Sequence, residues 1–175
     1  MKTLDLTYIA LCIALMAICA WITIPASVPF TLQIFGIYAT LGLLGGKRGT
    51  IAIGVYLLAG AIGLPVFSGF TGGFGHLVGT TGGYLISYLI VGLFYWFATN
   101  IFGKKLVPQA IIMLLGLVIC YAFGTAWFVI VYSRVNGAIG VGAALAWCVI
   151  PFIIPDVAKI ALALILSNRV SRFVK

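Results

Sequence analysis

The sequence predicts an all-α integral membrane bundle of six transmembrane helices with both termini in the cytoplasm, and three observations carry that expectation. Of 175 residues, 64% are hydrophobic and 7% charged, against roughly 45–50% and about 25% in soluble domains. The apolar runs are continuous rather than alternating, which selects helices over a closed barrel, since hydrocarbon offers an unpaired backbone amide no partner. The basic residues gather at alternate ends of those runs. At about 20 residues per crossing, the chain holds six helices and leaves no room for a soluble domain, so residues 1–175 are expected to form one transmembrane unit.

The apolar runs place spans at Leu6–Ile24, Gln33–Gly45, Thr50–Leu64, Gly83–Phe102, Pro108–Tyr132 and Val149–Ser167. Lys2 before the first run superficially suggests a signal peptide, but cleavage would release another membrane protein, so the run reads as a first membrane helix. The second and third runs are short for a full crossing, and are expected to be extended by neighbours or enclosed by the other helices. The glycine-rich segment from Val66 to Gly82 is expected to fold back into the protein, because irregular backbone at membrane depth is tolerated only where it is buried or lines a cavity.

Orientation follows from Lys and Arg in short loops, which stay on the cytoplasmic side. Lys2, Lys47, Arg48, Lys104, Lys105, Arg169, Arg172 and Lys175 all fall on one side. The opposite loops, around Ile24–Leu32, Pro65–Gly82 and Ser133–Trp147, carry Arg134 and the single histidine, His76. The net charge of +8 is thereby explained as topology signals beside an anionic leaflet, and no basic groove is left for nucleic acid. No inverted repeat of a complete secondary transporter is present.

Two charged residues lie well inside a span, Asp156 and Lys159 in the last helix. Their i,i+3 spacing puts them on one face, where they neutralise each other. An intramembrane ionisable group is costly and marks a functional site facing the bundle interior, although a purely structural ion pair is the competing reading. Pro155 is expected to free the carbonyl around Ile150–Pro151 from its helical bond. The second informative stretch runs from Gly63 to Tyr84, where glycines let backbone approach a ligand. Its Thr81-Gly-Gly-Tyr84 end leads into helix four, whose N–H groups favour an anionic or carbonyl oxygen.

Other features exclude chemistry. Cys12, Cys19, Cys120 and Cys148 lack metal-ligand spacing or a secreted disulfide framework and read as packing cysteines. His76 has no companions for a metal site, and Arg134 reads equally as an attractor for an anionic ligand or a loop anchor. Gly46-Lys47-Arg48 is no phosphate-cradling P-loop, and no nucleophile elbow occurs. The chain is expected to be no enzyme, and any transport must draw energy from elsewhere. Ala10-x-x-x-Ala14 is a small-residue pair that lets another helix approach closely, within the bundle or from a partner.

At these residues the sequence resembles the biotin-specific substrate-binding (S) components of energy-coupling factor (ECF) importers. The likeness runs through Ala10-x-x-x-Ala14, Val28-Pro-Phe-Thr-Leu-Gln33, Gly63-Leu-Pro-Val-Phe67, Gly72-Gly73, Thr81-Gly-Gly-Tyr84 and Pro151-Phe-x-x-x-Asp156-x-x-Lys159. The family's usual Gly-Pro-Thr-Gly-Gly-Tyr is here Gly79-Thr-Thr-Gly-Gly-Tyr84, which bears on the turn at Thr80. The resemblance implies a multi-pass protein of the bacterial plasma membrane that binds biotin from outside as transported substrate, with no cofactor. It implies partners too: a transmembrane coupling (T) protein facing Ala10 and Ala14, two cytoplasmic ATP-binding subunits, and the lipid within which the S component topples to deliver its cargo. In that setting Asp156 would accept the ureido N–H groups, and Lys159 would donate to ligand oxygen or hold Asp156 ionised. Gln33, Gly73, Thr81 and Tyr84 would line the pocket. The alternatives are an S component for another small vitamin and a membrane scaffold protein without a ligand.

Overall fold

The computed structural model describes residues 3–25 and 28–170; Lys2, Arg172 and Lys175 lie outside them. Helix α1 covers Thr3–Trp21, and a two-stranded antiparallel hairpin, β1 (Thr23–Ile24) with β2 (Phe30–Thr31), pairs Thr23 with Thr31. There follow α2 (Gln33–Ala61), the short α3 (Phe74–Val78), α4 (Gly82–Phe102), α5 (Leu106–Asn136), α6 (Val141–Cys148) and α7 (Ile153–Val170). Five stretches are long and apolar enough to cross a membrane, the last being Val141–Val170 with α6 and α7 together.

The sixth crossing is hidden inside α2. Gly45 has φ 75° and ψ 174°, a combination essentially confined to glycine. Beyond it the chain reverses: a Cβ built on Gly49 would stand 3.1 Å from the Leu41 Cα, whereas in an unbroken helix eight residues span about 12 Å. The two arms of α2 are thus an antiparallel helical hairpin, matching the second and third expected spans. They are short because they are enclosed. Half of an apolar 18-residue stretch of α2 is buried, against a third of the corresponding stretches of α1, α5 and α6–α7, so α2 forms the centre of the bundle with α1, α4 and α7 against it.

Alanine at 45 would be strained and would also meet the Lys104 Nζ at 3.0 Å. Gly45→Ala is expected to destabilise by about 1–3 kcal/mol. Gly54, whose built Cβ has nothing nearer than 3.8 Å, is the control: Gly54→Ala is expected to be neutral or to stabilise by up to about 1 kcal/mol. Melting curves of the detergent-solubilised variants check the pair.

The hairpin corner marks one end of the bundle. Arg48 pairs with Asp5 at 2.6 Å, Lys104 lies against Gly45, and Ser167 near the end of α7 lies against Gly42. The described basic residues of the expected cytoplasmic loops therefore gather with the start of α1. At the other end, the 63–82 segment folds back onto the helices, as expected. Phe67 is fully buried against Gly60, the Trp21 indole N–H donates to the Pro65 carbonyl at 2.8 Å, and the Trp127 indole N–H donates to the Gly79 carbonyl at 2.9 Å.

The structure corrects the expectation for the 133–147 region. It is not a long loop before a span at Val149. Helix α5 continues to Asn136, and Val141-Gly-Ala-Ala-Leu-Ala-Trp-Cys148 forms α6. Glycines at 137, 140 and 142 resemble loop signals, but the alanine-rich remainder is a good helix former. The break falls at Val149 (φ −126°, ψ −57°), followed by a 3-10 turn at Ile150–Phe152. Pro155 is the third residue of α7, within the first turn, where a missing N–H has no helical partner to lose.

Candidate functional site

A cavity opens among the ends of these elements, away from the hairpin corner. Its walls come from Val28, Pro29, Thr31, Gln33 and Ile34 at the β-hairpin and the start of α2, and from Ser68 and His76 on the folded-back segment. The start of α4 contributes Thr81, Tyr84, Leu85 and Tyr88; α5 contributes Cys120 and Tyr121; Cys148, Phe152, Asp156 and Lys159 complete it.

The polar centre is the pair on α7. Asp156 and Lys159 are 1% and 5% exposed, and the Lys159 Nζ donates to the Asp156 Oδ1 at 2.8 Å. Asp156 sits in the first turn of α7, where the positive end of the helix dipole favours a carboxylate. Its Oδ2 accepts the Tyr121 hydroxyl at 2.7 Å. A carboxylate offers about four lone-pair sites, so two stay available to a ligand. Lys159 also donates to the Thr31 carbonyl at 2.7 Å and lies 4.0 Å from the centroid of Phe30. Those two bonds use two of its three donors, tying the β-hairpin to α7 and leaving one N–H. Phe30 stacks on Phe152 at 5.8 Å, so the pair is roofed by aromatic surface.

Gln33 is 4% exposed, and its amide N–H donates to the Tyr56 hydroxyl at 2.7 Å, which donates to the Val66 carbonyl at 2.8 Å. This chain fixes the folded-back segment and leaves the glutamine's oxygen unassigned. Tyr84 exchanges a 2.9 Å hydrogen bond with Thr125 and packs against Gly124. Of the residues the sequence singled out for binding, Gln33, Thr81, Tyr84, Asp156 and Lys159 converge on the cavity. Gly73 does not line it. With φ 101° it shapes the loop, donating its N–H to the Gly60 carbonyl at 2.7 Å while its own carbonyl accepts from His76. Of the helix-four N–H groups expected to meet a ligand oxygen, those of Gly82 and Tyr84 are engaged by the Gly79 and Thr81 carbonyls.

Several wall residues escaped sequence reading. Tyr121 carries a polar tip inside an apolar span, and nothing in the sequence links it to a carboxylate 35 positions away. His76, considered only as a metal ligand, faces the cavity, and so do Cys120 and Cys148, read as packing residues. Ala10 and Ala14 are not among these walls; they sit on an exposed stripe of α1 shared with Thr7, Leu11 and Ile18.

Comparison with known proteins decides what this arrangement belongs to. The BioY family model matches residues 1–175. The chain belongs to the BioY family. Among its BioY relatives, the probable biotin transporter BioY of Pyrococcus horikoshii is 36% identical over 97% of both chains. The biotin transporter BioY of Thermotoga maritima is also 36% identical, over 91% of this chain and 90% of its own. The fold is similar to a crystal structure of the S-component for biotin from an ECF-type ABC transporter. The TM-score is 0.87 at 30% identity, covering 98% of this chain and 95% of that one. The six-crossing helical bundle is therefore a BioY bundle, and the cavity described above lies at the end of that bundle remote from the hairpin corner at Gly45.

Proposed function

We propose that this chain captures biotin outside the cell as the substrate-binding subunit of an ECF-type importer, working as one transmembrane unit. The observation that carries the reading is the buried Asp156–Lys159 pair opening into an aromatic-walled cavity, supported by membership of a family whose named relatives are biotin transporters. Biotin's ureido ring has two N–H donors and one carbonyl acceptor. Asp156 retains two lone-pair sites for the donors, and Lys159 retains one N–H for a ligand oxygen while holding the carboxylate ionised. Tyr84, Thr81 and Gln33 bound the bicyclic ring and its chain, and Gly73 sets the loop that closes over them. Charge-assisted bonds are the strong ones, so the buried pair is the anchor and the remaining wall supplies shape.

The basic residues at the hairpin-corner end would face the cytoplasm of the cell that imports the vitamin, which supports a cavity that opens outside. Delivery would depend on a transmembrane coupling protein and two ATP-binding subunits, a reading supported by the likeness to the S-component of an ECF-type ABC transporter. The exposed Ala10–Ala14 stripe offers the coupling protein a close-approach face.

Thermal stabilisation tests the reading against a ligand-free scaffold. A ligand bound only by the folded state adds about 2.7 kcal/mol at a hundredfold excess over Kd, so biotin is expected to raise the melting temperature of the solubilised chain markedly. A scaffold would show no shift.

A further inference from the structure

We propose that His76 is the specificity-determining residue for the ligand's carboxylate, receiving it at the outer-loop wall and taking up a proton as it binds. The inference deepens the biotin reading and rests on it.

Biotin carries a carboxylate at the end of its chain, and the Asp156–Lys159 pair offers it no net charge. The two residues cancel each other at 2.8 Å, and Lys159 already gives two of its three N–H bonds to Asp156 and Thr31. Arg134 is not among the lining residues. Among the described lining residues, His76 is therefore the one other group able to become a cation near neutral pH. Its position is fixed by the folded-back segment. The ring stacks on the fully buried Phe67 at 5.6 Å, and its Nε2 lies 3.5 Å from the Thr71 hydroxyl, which donates to the Ser68 carbonyl. Ser68 shares the same wall and offers the carboxylate a hydroxyl donor.

Burial lowers the free imidazole's affinity for a proton. An anion placed against it acts oppositely, because an opposite charge at close range favours the protonated ring. Binding is thus coupled to proton uptake, and the linkage has a definite sign: affinity for the anionic ligand rises as pH falls from above the bound pKa toward the free one. The ligand's own carboxyl, titrating near the glutamate value of about 4.3, stays ionised through that window. The tyrosines at 56, 84, 88 and 121 and the cysteines at 120 and 148, on the helices around the cavity, belong to residue types that titrate near about 10 and 8.5 in free peptides, and none changes charge within that window. Any response of the Asp156–Lys159 pair would act on the ring and so on charged and neutral ligands alike.

The test compares biotin with biotinamide, its neutral counterpart, by titration into the purified full chain at pH 5.5 and 7.5. The expected result is a preference for biotin over biotinamide that grows about tenfold or more at the lower pH. In His76→Gln the preference shrinks and becomes flat with pH, while in His76→Lys it persists at pH 7.5. A pH-independent preference in the wild-type chain, which needs no variant, would overturn the proposal, as would a His76→Gln chain that keeps the pH-dependent preference. If the wild-type chain binds neither ligand, the biotin reading itself fails and this inference falls with it, an outcome distinct from the other two.

Discussion

Asp156→Ala is expected to weaken biotin binding by about 10²–10⁴-fold, the largest effect of any single substitution at the site. The figure follows from two ligand N–H bonds to a carboxylate at about 1.5–3 kcal/mol each. The same change leaves Lys159 buried without its counter-charge, at a cost of about 3–5 kcal/mol in stability, so the two consequences must be separated. Asp156→Ala combined with Lys159→Met removes both charges and is expected to recover most of the lost stability without recovering binding. If the double variant regains both, the pair is a structural ion pair and the ligand is anchored elsewhere. Asp156→Asn, which keeps the shape and one acceptor oxygen, is expected to fall between. Isothermal titration and melting curves on the same preparations read out all three.

The second large effect is expected at a distance from the cavity. Ala10→Trp with Ala14→Trp places two bulky apolar side chains on the open stripe of α1, where they face lipid without polar cost but prevent a neighbouring helix from approaching closely. Uptake of labelled biotin by cells expressing the chain with its coupling protein and ATP-binding subunits is expected to fall to background, while biotin binding by the purified chain stays at the wild-type level. Equal uptake would show that the stripe faces lipid throughout the cycle.

How legible the fold was depended on what each segment's signal encodes. The helical hairpin of α2 could be read because Gly45-Gly-Lys-Arg48 combines a glycine able to take φ 75° with the cations that hold a corner at the membrane surface. Helix α6 could not, because Gly137, Gly140 and Gly142 signal irregular backbone and the neighbouring alanines give no countervailing polar pattern. In a chain buried in hydrocarbon the amphipathic period that reveals a soluble helix is largely absent. Its ends must then be inferred from glycine and proline alone.

Legibility of the site follows the same logic. Asp156 and Lys159 stand out because charge inside an apolar run is costly. Tyr121 does not, because its ring satisfies the apolar requirement and its hydroxyl matters only through a contact with another helix. His76 was visible as a lone histidine, but its place at the cavity depends on how the loop bends at Gly69 and Gly73, both at positive φ, and no spacing rule gives that. Gly73 shows the converse, since glycine density pointed correctly to the wall-forming segment while this glycine shapes the wall without lining the cavity.

Biotin capture stands or falls on isothermal titration of biotin into the purified, detergent-solubilised chain, with thiamine and riboflavin as controls. Tight one-to-one binding of biotin is expected, with no heat from either control. A folded sample that ignores biotin, or takes a control vitamin as readily, would contradict it.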